Sequence, residues 1–82
     1  RNVEVFYIEF DAGVRHESLP HVAGVEEYVF LVQGTLKMVM GGKEVLLEEK
    51  QSIRFRADVS HVYHNVSDKA CTAYNVIFYP NN

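Results

Sequence analysis

The 82-residue chain holds one cysteine, two prolines and no tryptophan. The lone Cys71 cannot form an internal disulfide, which fits a reducing compartment. Its neighbours Ala70 and Thr72 carry no charge to activate the thiol, so it reads as buried filler. No apolar run approaches the roughly 18 residues of a membrane span, so no membrane partner is expected. No charged segment followed by an apolar stretch opens the chain, so no signal peptide is expected and the setting reads as cytoplasmic. Basic residues are scarce: 8 Lys and Arg stand against 11 Asp and Glu, for a net charge of −3. Without a basic stripe the chain is not expected to grip nucleic acid by itself. It begins with Arg1 and reads as a single domain, residues 1–82, cut from a longer protein. A 3.6-residue apolar period is also missing, so helices of useful length are not expected.

What is present has a period of two. Val3, Val5 and Tyr7 alternate with Phe6, Ile8 and Phe10, giving a first strand over residues 3–10 that is apolar on both faces. Further strands are expected over 26–32, 35–40, 43–47, 52–56, 61–66 and 70–79, with residues 14–24 irregular. Gly41-Gly42 reads as a two-residue hairpin turn that needs positive φ at both positions. About seven short strands with closely spaced turns make an all-β sandwich or barrel. The five Tyr and five Phe can fill such an interior.

His21, Glu27 and His61 stand out within this pattern. Glu27 shares a strand face with Val29 and Leu31, so its carboxylate points where apolar side chains point. That is costly unless the charge is paired or bound to a metal. Parity places His61, Tyr63 and Asn65 on one face and His64 on the other, while Tyr28 and Phe30 oppose Glu27. His21 follows Pro20 in the irregular stretch. Two imidazoles and a carboxylate from separate segments suit a divalent transition metal. Plainer readings stand beside this one. Glu27 could pair with Arg54 or Arg56, His61 could be a core histidine donating to a backbone carbonyl, and His21 could be a surface residue.

The segment from His21 to Glu27, then six residues, then Gly34, resembles the first cupin motif, and His61 with Asn65 resembles the end of the second. The strings PHVAGVEEYVFLVQG, VLLEEKQSIRFRADVSHVYHN and NVIFYP look like the C-terminal sensor domain of Xre-type helix-turn-helix transcriptional regulators. The resemblance implies a small cupin β-barrel, jelly-roll-like in its winding. It implies metal ligands at His21, Glu27 and His61, with zinc, nickel, iron or manganese all suited to that set. It selects Glu27 over Glu26 by the spacing to Gly34. The second histidine of the first motif is Ala23, Lys50 stands at the second motif's opening glycine, Arg56 at its proline and Asp58 at its later glycine. His16 could fill the missing ligand place if its segment folds inward.

On this reading a small-molecule effector binds in the lumen. The expected ligand-binding residues are Val29, Leu31, Tyr63, Asn65, Tyr74, Val76 and Phe78. The chain would act as a homodimer, with DNA contacted only through an N-terminal helix-turn-helix domain outside this sequence. A small metal-dependent cupin enzyme, a dioxygenase or isomerase, is the alternative; its obstacle is the lack of an evident general base.

Overall fold

A computed structural model describes residues 2–80. Eight strands follow in order: β1 (Val3–Phe10), β2 (Arg15–Ser18), β3 (Glu26–Gln33), β4 (Leu36–Met40), β5 (Lys43–Leu47), β6 (Ser52–Arg56), β7 (His61–His64) and β8 (Cys71–Phe78). They form two antiparallel four-stranded sheets, β1-β8-β3-β6 and β2-β7-β4-β5, wrapped face to face as a small jelly-roll barrel. No helix among the described residues is long and apolar enough to cross a membrane.

The two-residue period decides what is inside. Glu27, Val29 and Leu31 of β3 are buried while Phe30 and Val32 are exposed. Leu36 and Met38 of β4, Leu47 of β5 and Ile77 of β8 complete the core from both sheets. Gly41 (φ 55) and Gly42 (φ 83) join Met40 to Lys43 in the expected two-residue turn. Cys71 is fully buried, as its neighbours imply.

The segment expected to be irregular contains a strand. β2 is Arg-His-Glu-Ser, polar throughout, and pairs only with β7. An edge strand with no apolar face carries no alternation for a sequence reading to detect. Beyond the end of β7, the Asn65 side chain binds backbone groups of three segments. Asn65 Nδ2 donates to the carbonyls of Phe10, Asp11 and Lys69, and its Oδ1 accepts from the Ser67 amide and hydroxyl. This one carboxamide ties the β7–β8 turn to the end of β1.

Two backbone positions define the tightest turns. Gly34 has φ +93, and a Cβ there would lie 2.7 Å from Cys71 Cβ. Lys50 is the one described non-glycine residue with positive φ, at 69. It occupies the place where the cupin motif carries glycine, so the local geometry has persisted without the residue that suits it. Substitutions at the two sites should move stability in opposite directions. Gly34→Ala is expected to cost at least about 2 kcal/mol, and Lys50→Gly to add about 0.5–1 kcal/mol, in urea denaturation.

Candidate functional site

Three segments bring the expected ligands together. Glu27 comes from β3, His61 from the start of β7 and His21 from the connection between β2 and β3. Glu27 Oε2 lies 3.3 Å from His21 Nε2 and 3.3 Å from His61 Nε2. The three ligand atoms all fall within 4.8 Å of one another. Two bonds of about 2.1 Å at a tetrahedral angle would separate donor atoms by about 3.4 Å, so these two separations fit metal ligation.

One turn holds both imidazoles. The Ala57 carbonyl accepts the His21 backbone N–H at 2.9 Å. The Val59 carbonyl lies 2.8 Å from His61 Nδ1. Between them, Asp58 Oδ2 accepts the Gly24 N–H at 3.4 Å and pairs with Arg56 at 2.7 Å. With the Nδ1 hydrogen given to Val59, a neutral His61 turns a bare Nε2 lone pair toward the carboxylate. That Nε2 is buried and has no hydrogen-bond partner. Lone-pair atoms facing one another at this spacing call for a cation between them, either a proton or a metal ion.

The charge states follow from the surroundings. Burial pushes the Glu27 carboxyl up, but His61 and the Tyr63 hydroxyl outweigh it and hold the pKa below the usual value. Burial pushes His61 down, and the Glu27 carboxylate with the Val59 carbonyl outweighs this and raises it. Burial, then the charge of Glu27, lifts the Tyr63 phenol far above its ordinary range. Tyr63 therefore keeps its hydrogen and donates it to Glu27 Oε1. This leaves Oε2 to face the two imidazoles.

Glu27, His21 and Tyr63 line a cavity of about 360 Å³ between the β1 and β2 edges, with His61 behind them. Phe6, Ile8 and Phe10 of β1 and Ile77 of β8 form its apolar wall, and Ser18 and His16 of β2 its rim. His16 is exposed and lies outside the His21, Glu27, His61 group.

Several sequence expectations need correction. Tyr74, Val76 and Phe78 do not line the lumen; β8 buries Cys71, Ala73, Asn75 and Ile77 and turns those three away. Both faces of β8 carry apolar residues, and the register that sets Asn75 opposite Phe6 and Val29 puts Tyr74, Val76 and Phe78 on the outer one. Val29 and Leu31 face inward yet are packed in the core rather than on the cavity wall. Asn65 is inward and buried, but its carboxamide is committed to backbone groups and Ser67. Tyr63 does line the cavity. Arg54 and Arg56 lie opposite Tyr28 and Glu26 on the outer parity of their sheet, so neither pairs with Glu27. His61 also makes the carbonyl contact of the plainer reading, so that reading and the ligand reading hold together. Asn75, Ile77 and the inner face of β1 were missed; the two-faced apolarity of residues 3–10 was the available signal.

Comparison with known proteins agrees with this geometry. The Cupin_2 family model, described as a cupin domain, matches residues 6–77. The chain is 35% identical over 77 residues to the HTH-type transcriptional regulator SutR of Escherichia coli K12, covering 94% of this chain and 43% of that protein. It is similar to the crystal structure of a Cupin_2 domain of an XRE family transcriptional regulator from Enterobacter cloacae, with TM-score 0.94 and 35% identity over 98% of this chain and 84% of that one. An HTH_3 family transcriptional regulator from Vibrio cholerae gives TM-score 0.92 and 29% identity over 98% of this chain and 44% of that one. The chain thus spans less than half the length of the SutR and Vibrio regulators.

The buried Tyr63 hydroxyl ties the cluster together, so its removal isolates the value of the network. Tyr63→Phe is expected to destabilise the fold by about 1–3 kcal/mol in urea denaturation, since Glu27 and Asn75 both lose a buried partner.

Proposed function

The chain belongs to the Cupin_2 family of cupin domains, and we propose that it is the effector-binding part of a helix-turn-helix transcriptional regulator. The observation that carries the reading is a His-Glu-His set, Glu27 and His61 buried and His21 half-buried, beside a cavity open between two edge strands. A small molecule enters that cavity, and a divalent transition metal held by His21, Glu27 and His61 fixes its polar end. When bound, the metal would supply a Lewis-acidic centre. The protein's own residues do the rest: Tyr63 orients the carboxylate, the 57–59 turn orients the imidazoles, and β1 excludes water from the ligand's apolar side.

The regulators that this chain resembles are roughly twice its length or more, which leaves room for a DNA-binding domain of the kind their names describe. Effector binding changes DNA affinity only by its differential affinity for two states of the protein, which would work in the cytoplasm. The enzyme alternative needs an uncommitted general base beside the reacting atoms. Among the described residues lining the cavity, Glu27 and Tyr63 are committed to one another and the remaining imidazole, His16, lies at the rim.

A dimer belongs to the same proposal. The outer face of the β1-β8-β3-β6 sheet exposes Val5, Tyr7, Phe30, Val32, Tyr74 and Phe78 together. Val5 is 63% and Tyr7 60% exposed, far more apolar exposure than a monomer needs. A second copy seated there suits helix-turn-helix proteins, which read paired half-sites.

Two outcomes are expected. Untreated protein should carry about one divalent metal ion per chain by elemental analysis, and Glu27→Gln should weaken the metal by more than about 100-fold in calorimetric titration. A metabolite screen on metal-loaded protein should find a compound that raises the melting temperature by about 10 °C or more near 100-fold excess over its Kd. Absence of both metal and any stabilising compound would sink the proposal. Sedimentation at micromolar concentration should show a dimer that Tyr7→Glu converts to monomer with the fold intact.

A further inference from the structure

We infer that the barrel carries a second binding site, on the seam opposite the first cavity, which takes a small apolar molecule bearing a carboxylate. Each sheet ends in two edge strands, so two seams stay open: β1 faces β2 across one and β5 faces β6 across the other. The first cavity lies at the β1–β2 seam, and a second, of about 390 Å³, lies at the β5–β6 seam. None of His21, Glu27 and His61 lines this second cavity. Phe55 backs it on the side of the cluster, its ring 5.3 Å from that of His61. The site is therefore separate from the effector pocket.

Register decides which charged groups face it. Lys43 lies opposite Met40, two residues along from the Met38–Val45 pair and four from the Leu36–Leu47 pair, so it shares the inner face of β5. Lys43 lines the cavity, whereas its neighbour Glu44 lies on the outer face and pairs with Lys37 at 3.4 Å. Among the described residues Lys43 makes no ion pair. The opposite wall supplies a backbone donor. Gln51 and Ala57, which flank β6, bond to β3 through the Leu31 N–H and the Val25 carbonyl. Alternation then turns the Arg54 N–H away from β3, toward the open edge, and Arg54 lines the cavity. An ammonium on one wall and a free N–H on the other are the donors that a carboxylate accepts.

The rest of the lining narrows the chemistry. Met40, Val45, Ile53, Phe55 and Val59 offer apolar contact. No Asp or Glu lines the cavity, although acids outnumber bases in the chain as a whole. Arg54 and Arg56 add positive charge at the mouth, the second of them offset by Asp58 at 2.7 Å. A cationic ligand would meet like charge there. One ammonium on the inner face balances one negative charge, which suits a carboxylate better than a dianionic phosphate. A volume of about 390 Å³ equals about thirteen waters at roughly 30 Å³ each, room for an arylalkyl or short-chain body. The first cavity has neither Lys nor Arg in its lining, so the two sites differ in the charge they accept.

Phenylacetate and octanoate each differ from the corresponding amide in charge and hardly in size. Their dissociation constants can be measured in the whole protein by NMR titration of methyl signals. Val45 and Ile53 report the β5–β6 cavity, and Ile8 and Ile77 the first one. At least one of the two acids should move the Val45 and Ile53 signals with a Kd below about 1 mM. It should bind at least about fivefold tighter than its amide. Lys43→Met should abolish that preference, and Lys43→Arg should retain it; Lys43 is exposed, so both variants should fold. Equal binding of acid and amide overturns carboxylate recognition. A preference that survives in Lys43→Met overturns the assignment of the site to Lys43. Shifts confined to Ile8 and Ile77, or dissociation constants above about 1 mM for both acids, overturn the second site and leave the effector-pocket reading untouched.

Discussion

A carboxylate buried inside a thin barrel is the constraint from which the rest of this site follows. Glu27 is 1% exposed on a strand whose other inward residues are valine and leucine. An unpaired charge in such a place is not sustainable in a domain this small, whose whole stability amounts to a few kcal/mol. The fold surrounds the charge from three directions. β7 contributes His61 and Tyr63, the β2–β3 connection contributes His21, and β8 places Asn75 against Tyr63. Each partner satisfies part of the carboxylate, yet the two imidazole nitrogens and Oε2 still face one another across 3.3 Å gaps. The arrangement calls for a cation at its centre, a proton on an imidazole or a metal ion, since lone pairs alone would face one another there.

The supporting structure is economical in chain. Residues 57–59 receive the His21 amide, the Gly24 amide and the His61 ring on three consecutive residues. Cupin sequences place proline and glycine near this turn; here Arg56 and Asp58 stand in their places and hold each other by an ion pair 2.7 Å long. Asn65 does the equivalent work at the other end of β7, pinning β1 to the final turn. Both devices use side chains to satisfy backbone groups where sheet pairing has stopped.

Most of the strand pattern was legible because alternation is a direct consequence of burying one sheet face. The first strand, the Gly41-Gly42 hairpin and the inward carboxylate of Glu27 were all readable in this way. The convergence of His21 with Glu27 was legible only through resemblance to the cupin motif, since a histidine in an irregular segment has no parity to argue from. β2 escaped because every one of its residues is polar. The expectation fails at the last strand, where Tyr74, Val76 and Phe78 are apolar yet face outward. Parity alone cannot tell the two faces of β8 apart when both carry apolar residues. The register that decides it, with Phe6 opposite Asn75 and Asn75 opposite Val29, is a property of three strands together. Asn75 was therefore invisible as a site residue, and Asn65 conspicuous for the wrong reason.

The division of labour among strands bears on how such a domain could transmit a signal. The floor of the cavity comes from β3, β7 and β8, each paired on both sides within its sheet. The rim and, apart from Ile77 of β8, the wall come from β1 and β2, which are edge strands held by one neighbour each. Glu27 and His61 are thus fixed to doubly paired strands, His21 to the β2–β3 connection, while most of the surface proposed to select the ligand sits on edge strands. β1 has a second property. Its inner residues Phe6, Ile8 and Phe10 contact the cavity, and its outer residues Val5 and Tyr7 lie on the exposed apolar face proposed for the dimer. A ligand that presses on one side of this strand changes the other side within a single backbone thickness. Coupling between effector and subunit arrangement then needs no long chain of contacts, only a strand that two equilibria share.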